Sequence, residues 1–180
     1  MRTTSFRALK WWLLALAPAF VAVLGVAVPW LRRGHTHSPN PYTLEVVVRH
    51  SGHEHRVPPG GPVPPGEKLG FQLSTERSGY FTLLEVGSVL GVTHVLPKRH
   101  EPLAIPAGRA QKLNGDVRLD AALGPERFIA LVCDTPLPEE RAREAAEHEL
   151  TEASGNPAQM GPLDVPCQQT MFLIEKVAPL

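Results

Sequence analysis

The stretch from Trp11 to Leu31, WWLLALAPAFVAVLGVAVPWL, contains no charged side chain over 21 consecutive residues. As an α-helix it would be roughly 30 Å long, which is the thickness of the hydrocarbon core of a bilayer. Trp11, Trp12 and Trp30 stand at its two ends, and indole rings favour the membrane interfaces. The sequence therefore predicts a single N-terminal transmembrane helix with these three tryptophans as its interfacial anchors.

A cleaved signal peptide is the alternative interpretation, because Arg2, Arg7 and Lys10 form a basic region before the apolar stretch. The apolar run is long for a signal peptide, which favours a retained anchor. The basic residues before the span slightly outnumber Arg32 and Arg33 after it, and positive charge favours the inside.

The predicted organisation is therefore a short cytoplasmic tail at 1–10, a transmembrane helix at 11–31, a polar spacer at 32–41 and an extracytoplasmic domain at 42–180. We expect a single-pass protein of the inner (cytoplasmic) membrane with its C-terminal domain in the periplasm.

The charge balance argues against nucleic acid as a partner. Lysine plus arginine and aspartate plus glutamate each number 18, so no net positive field would attract a polyanion. The 19 prolines and 15 glycines predict many turns and few long helices.

Short apolar segments with strand-like composition recur along the domain. TLEVVVR from Thr43 alternates with the period of a strand, and ERFIALVC from Glu126 and QTMFLIEKV from Gln169 are apolar on both faces, as expected for central strands. The remaining predicted strands are LGFQLST, GYFTLLEV and VLGVTHVL, beginning at Leu69, Gly79 and Val89. One or two brief strands are expected before Glu126. This pattern predicts a mainly β fold, either an antiparallel β-sandwich or a partly open barrel.

Two segments interrupt the strand pattern. VPPGGPVPPGEK is predicted to be an exposed loop, since its prolines cannot hold a central strand. TPLPEERAREAAEHEL predicts one helix from about Pro138 to Leu150, with Thr135 as a candidate N-cap and glutamates near its positive end. A thin apolar stripe places this helix on the surface of the sheet.

Cys133 and Cys167 are the only cysteines, and four roles are open to them. A zinc site lacks the paired spacing of known zinc modules, and a nucleophilic thiol at Cys133 has no evident base and has Asp134 beside it. Cys133 ends one predicted strand and Cys167 precedes another, so antiparallel neighbours would bring both thiols to one end of the sheet. Export would allow this disulfide to persist, whereas two buried free thiols remain the alternative.

The histidines His50, His53 and His55 in RHSGHEH are weak candidates for metal binding, because alternate residues of a strand share a face. Solvated polar residues are the more common role of such a tract, so no metal or other cofactor is predicted. Phosphate-binding loops, nucleophile elbows and HExxH motifs do not occur. The sequence thus supports no enzymatic activity.

The chain resembles the bacterial family called domain of unknown function 4384. The resemblance runs from about Val57 to Val177 and rests on VPPGEKLGFQL, ERSGYFTLLEVGSVLGVTHVLP, AGRAQKL and NGDVRLDAALGPERFIALVC, in that order. Members of that family often place the domain beyond one membrane helix and behind a cytoplasmic zinc module like that of anti-sigma factors. This chain departs from them, since the residues before its apolar span include neither Cys nor His.

Together these features predict a membrane-anchored, non-catalytic binding or sensory module of the bacterial envelope. The alternatives are an accessory regulator that partners a membrane anti-sigma or signalling protein, and an envelope enzyme without a recognisable motif. The expected partners are the membrane itself and another envelope or signalling protein.

Overall fold

The computed structural model describes residues 42–50, 52–87, 89–98 and 101–179, with the backbone alone for His50. The predicted tail, transmembrane helix and spacer, including Trp11, Trp12 and Trp30, lie outside the described residues. Among those that are described, no helix is long and apolar enough to cross a membrane.

The described residues are mainly β, as predicted. The strands are β1 (Tyr42–His50), β2 (His53–Val57), β3 (Gly61–Val63), β4 (Lys68–Thr75), β5 (Gly79–Gly87), β6 (Gly91–Leu96), β7 (Leu103–Ile105), β8 (Gly108–Lys112), β9 (Val117–Arg118), β10 (Gly124–Cys133) and β11 (Gln168–Lys176). One α-helix, α1 (Glu139–Glu152), and a short 3-10 helix (Pro157–Gln159) connect the last two strands.

The strands form two sheets. The first has the order β2-β1-β4-β8, with β9 also pairing with β4, and it is antiparallel throughout. The second has the order β3-β11-β10-β5-β6, with β7 also pairing with β5. It is mixed, because β3 runs parallel to β11. The described strands thus form two facing sheets, in keeping with the β-sandwich alternative.

The main core lies between the two sheets. Side chains that alternate along each strand meet there, as the period of a strand requires. Phe71 of the first sheet packs against Phe128 of the second, with ring centroids 5.1 Å apart, and both side chains are fully buried. β10 and β11 are interior strands of their sheet, as their apolar character on both faces predicted.

Helix α1 covers the outer face of the second sheet, which confirms the predicted surface helix. Its Ala142 and Ala146 are fully buried and belong to a second apolar cluster with Leu84, Ile129 and Leu131. The predicted N-cap was wrong: the N-cap is Pro138, without a side-chain hydrogen bond.

Two sequence predictions about strands need correction. VPPGGPVPPGEK is not wholly loop, since it contains β3, in which Gly61 and Val63 are buried. Pro62 is exposed there, and β3 is an edge strand, the position in which a proline costs no ladder hydrogen bond. The segment predicted from Val89 enters its strand only at Gly91, and Val89 and Leu90 are exposed in the preceding turn.

The pairing register gives the second sheet two distinct ends. At the disulfide end, Cys133 stands opposite Tyr80, and Val132 stands opposite Gln168. At the lysine end, Glu126 stands opposite Gly87, and Lys176 stands opposite Gly124. The cysteines lie at the first of these ends, and a group of charged side chains lies at the second.

Candidate functional site

The two cysteines form a disulfide. The Cys133 and Cys167 sulfur atoms are 2.04 Å apart and their Cα atoms are 4.4 Å apart. The bond joins the end of β10 to the residue before β11, because these strands are antiparallel neighbours as the sequence argument required. The bonded thiols are therefore not available as metal ligands or as a nucleophile.

The three candidate metal-binding histidines lie on the hairpin of β1 and β2. His50 stands opposite His53 in the strand register, and Gly52, at φ +83°, makes the tight turn between them. His53 and His55 are exposed. Among the residues described here, no group of three histidine, cysteine or carboxylate side chains is arranged to hold a metal ion, and the side chain of His50 lies outside that set.

A cluster of charged side chains is buried at the lysine end, and we call Glu85, Asp120, Glu126 and Lys176 the lysine cluster. Glu126 and Lys176 are only 1% and 4% exposed, which is rare for ionisable residues. The Lys176 Nζ atom lies 2.5 Å from Asp120 Oδ1 and 2.5 Å from Glu126 Oε2. One ammonium group thus contacts two carboxylates at the edge of the core.

The electrostatics of this cluster fit the shared contact. Burial opposes the charged form of Lys176, but its hydrogen bonds with Asp120 and Glu126 outweigh burial and raise the pKa of its ammonium group. The same hydrogen bond from Lys176 is the main reason that the pKa of Asp120 is lowered. The ion pair is therefore the resting form.

Glu85 completes the cluster as a neutral acid. Burial, aided by the hydrogen bond and negative charge of Glu126, raises the pKa of Glu85 to about 9. Glu126 Oε1 is buried and finds no donor among the described residues when every carboxyl group is ionised. Protonated Glu85 can donate a hydrogen bond to Glu126.

Sequence reasoning missed the lysine cluster, although a signal was present. Glu85, Glu126 and Lys176 each stand two positions from a core residue, namely Leu83, Phe128 and Ile174. The alternation of a strand therefore places all three on the inward face. Their meeting could not be foreseen, because it depends on which strands pair.

A half-buried arginine, Arg127, organises the opposite face of β10. Arg127 donates from Nη1 to the Met160 carbonyl oxygen at 3.0 Å and from Nη2 to the Ala158 carbonyl oxygen at 2.9 Å. Burial lowers the pKa of its guanidinium group. These bonds tie the segment after α1 to the sheet, so Arg127 has a structural role.

Three adjoining concavities lie along the side of the sandwich, beside the segment that links β6 to β8, and we call them together the groove. Its first part, of about 360 Å³, lies between Tyr80, His94 and the start of α1. Its second part, of about 400 Å³, is lined by Leu96, Ile105 and Gln111 among others. The two parts share Pro97, Pro102 and Leu103 as walls.

The groove continues into a polar third part of about 410 Å³. The second and third parts share Lys98, Lys112, Leu113 and Asn114. Arg49 lies across Gly70 at this end: a Cβ atom at Gly70 would come within 2.8 Å of the Arg49 guanidinium carbon. A side chain at position 70 would therefore displace the end of the Arg49 side chain.

The charges of the groove differ between its ends. Glu139 and Glu140 line the end at α1, where Glu139 Oε1 is 3.7 Å from His94 Nδ1. Arg49, Lys98 and Lys112 line the other end together with Asp116, which accepts a hydrogen bond from Arg49. Glu54 accepts from Arg49 at 3.0 Å and from Lys112 at 3.2 Å, and the hydrogen bond from Lys112 is the main reason that the pKa of Glu54 is lowered. The middle of the groove is apolar and rich in proline.

No family model, curated protein or solved structure matches this chain. The resemblance to domain of unknown function 4384 consequently stays a prediction, and the residues themselves carry the functional argument.

Proposed function

We propose that this protein is a membrane-anchored, non-catalytic binding module of the bacterial envelope, and that the groove is its ligand site. The groove is the observation that carries the proposal. It offers an apolar, proline-lined floor between two polar ends, and binding sites are commonly concave, mostly apolar surfaces with a few polar groups.

The ligand is a segment of another envelope or signalling protein in this proposal. A long, open groove suits an extended chain better than a compact small molecule, since enclosed cavities bury a small ligand more completely. The apolar span at 11–31 supports an anchor in the inner membrane, and the disulfide is compatible with a periplasmic domain.

Site-specific photo-cross-linking on the full chain in its native membranes tests this proposal. A photoreactive amino acid replaces exposed Pro102, which lines the first two parts of the groove. The matched control carries it at exposed Pro179, which does not line the groove. We expect one dominant cross-linked protein from position 102 and none from position 179.

Charge reversal provides the second arm of the experiment. Glu140→Lys alters the groove, whereas Glu152→Lys makes the same change at the other end of the same helix. The cross-link from position 102 should weaken several-fold in the first variant and persist in the second. Equal labelling from positions 102 and 179, or no response to Glu140→Lys, would contradict the assignment of the groove.

A further inference from the structure

The lysine cluster has the composition and geometry for a covalent reaction within the chain. A primary amine, 4% exposed, touches two carboxyl groups, and a third carboxyl group holds a proton beside them. Glu126 Oε1 is buried, without a donor from any ionised neighbour in the described part of the chain. An ordinary ion pair needs neither a second carboxylate nor a protonated third carboxyl group.

We propose that Lys176 and Asp120 condense into an intramolecular isopeptide bond, with Glu126 as the catalytic proton carrier. The Lys176 nitrogen attacks the Asp120 side-chain carboxyl carbon, a new C–N bond forms and a C–O bond breaks. Because Lys176 and Glu126 are buried, little water reaches the amine and its proton acceptor.

The reaction balances without an oxidant or any other co-reactant. An ammonium group and a carboxylate become an amide and one molecule of water. Of the three protons on the Lys176 nitrogen, one remains on the amide and two leave with the departing oxygen. Glu126 contacts the nitrogen through Oε2, so it accepts a proton there and passes it to the oxygen that leaves Asp120.

Glu85 acts as a positioning residue through Glu126. Its proton serves the hydrogen bond between the two glutamates, while Glu126 Oε2 faces the amine. Glu85 and Glu126 together carry one negative charge before and after the reaction. The resting cluster is an ion pair, since the pKa of Lys176 is raised and that of Asp120 is lowered, so the neutral amine is a minor form. The condensation is consequently slow, and it occurs once in each molecule.

Exposure distinguishes Asp120 from Glu126 as the residue whose carboxyl group acylates Lys176. The Asp120 side chain is 30% exposed, which gives the water formed a route to solvent, whereas that of Glu126 is 2% exposed. Asp120 also lies just after β9, which pairs with β4 of the first sheet, while Lys176 ends β11 of the second. The bond would join the two sheets at the end opposite the disulfide.

Mass spectrometry of the purified full chain tests the proposal. The wild type should be lighter than its disulfide-containing sequence by the mass of one water molecule. Asp120→Asn should lose ammonia instead, because the departing group is then an amine, and Asp120→Ala should lose neither. Comparing the three proteins cancels any common processing of the N-terminus.

Tandem mass spectrometry of the reduced tryptic digest then locates the bond. Trypsin should fail to cut after Lys176, and the fragment holding this residue should be joined to residues 119–127 through Asp120. Glu126→Gln should abolish or greatly slow the mass loss while keeping the fold, as checked by circular dichroism. Glu85→Gln, which retains a donor toward Glu126, should still form the bond.

The measurement on the wild type needs no variant to fold. A wild-type mass without the loss of water overturns the proposal, and so does a cross-link from Lys176 to Glu126 instead of Asp120. A loss of water that persists in Asp120→Ala also overturns it.

Discussion

At the scale of single residues, the least expected feature is a neutral glutamate, Glu85, beside the buried Glu126. Glu85 is paired with Phe128 in the strand register, so its side chain enters the same layer of the core as Glu126. Burial of a carboxylate is costly unless it is paired, and sharing a proton lowers that cost for two carboxyl groups at once. The cluster therefore depends on the protonation of Glu85.

This dependence predicts a pH effect on stability. The pKa of Glu85 is about 9 in the folded protein against 4.5 as its ordinary value, so the folded state binds the extra proton between these pH values. The contribution of Glu85 to the free energy of unfolding is complete below about pH 4.5, and it should be lost as the pH rises toward 9. Glu85→Gln cannot lose a proton there, and it should flatten this decline.

Urea unfolding between pH 5 and 9 measures the effect, with a slope of at most about 1.4 kcal/mol per pH unit for one proton. Glu152→Gln is the control, because that glutamate is exposed at the end of α1. The interpretation fails if the wild type and Glu85→Gln decline equally with pH.

At the scale of elements, β10 and β11 are joined by a long connection whose two ends lie side by side. It contains α1 and the 3-10 helix, and it covers the outer face of the second sheet. Arg127 and the disulfide fasten it at two places. Antiparallel pairing of the flanking strands places both ends of the connection beside one another.

The disulfide should make a large contribution to stability. Cys133 and Cys167 are 34 positions apart, and closing a loop of this length stabilises a fold by roughly 3 to 4 kcal/mol on the chain-entropy model. The double variant Cys133→Ala, Cys167→Ala should lose about this much free energy of unfolding, as measured by urea denaturation.

Reduction provides the control for this prediction. A reducing agent should lower the stability of the wild type to that of the double variant and leave the double variant unchanged. Equal stability of the wild type with and without reductant would show that the bond contributes little.

At the scale of the whole molecule, the disulfide, the lysine cluster and the groove lie in different places. The disulfide and the lysine cluster lie at opposite ends of the second sheet, and the groove runs along the side where β6, β7 and β8 connect the two sheets. The first described residue, Tyr42, is paired with Thr75 at one end of β1. Arg49, which lines the third part of the groove, stands near the other end of β1. The proposed binding groove and the proposed covalent bond thus involve different residues.

The predicted anchor is tested on the whole chain. Removing residues 11–31 should move the protein from the membrane fraction to the soluble fraction, because this apolar stretch supplies the predicted membrane affinity. Membrane flotation of the full chain and the deletion variant measures the change. Replacing the same residues with a charge-free span from an unrelated membrane protein should restore flotation. Flotation that survives the deletion would assign membrane attachment to another part of the chain.

Features that arise from local pattern could be predicted from the amino-acid sequence. Alternation marked β1, apolar segments of strand-like composition marked β4, β5, β10 and β11, and the composition after Thr135 indicated one surface helix. The disulfide could also be predicted, because Cys133 ends one predicted strand and Cys167 precedes another. Antiparallel pairing of these strands brings the two thiols to one end of the sheet. These inferences need only the period of a strand and the known preferences of helix formers.

The choice of neighbouring strands belongs to the tertiary structure, and this choice determines the sites. β3 becomes a strand because β11 offers it a partner, despite its proline. Glu85, Glu126 and Lys176 meet because β5, β10 and β11 are adjacent, and Asp120 joins them from the end of β9. The groove likewise exists where chain segments distant in sequence approach one another. Such meetings are set by long-range burial of the core, which no local pattern of residues encodes.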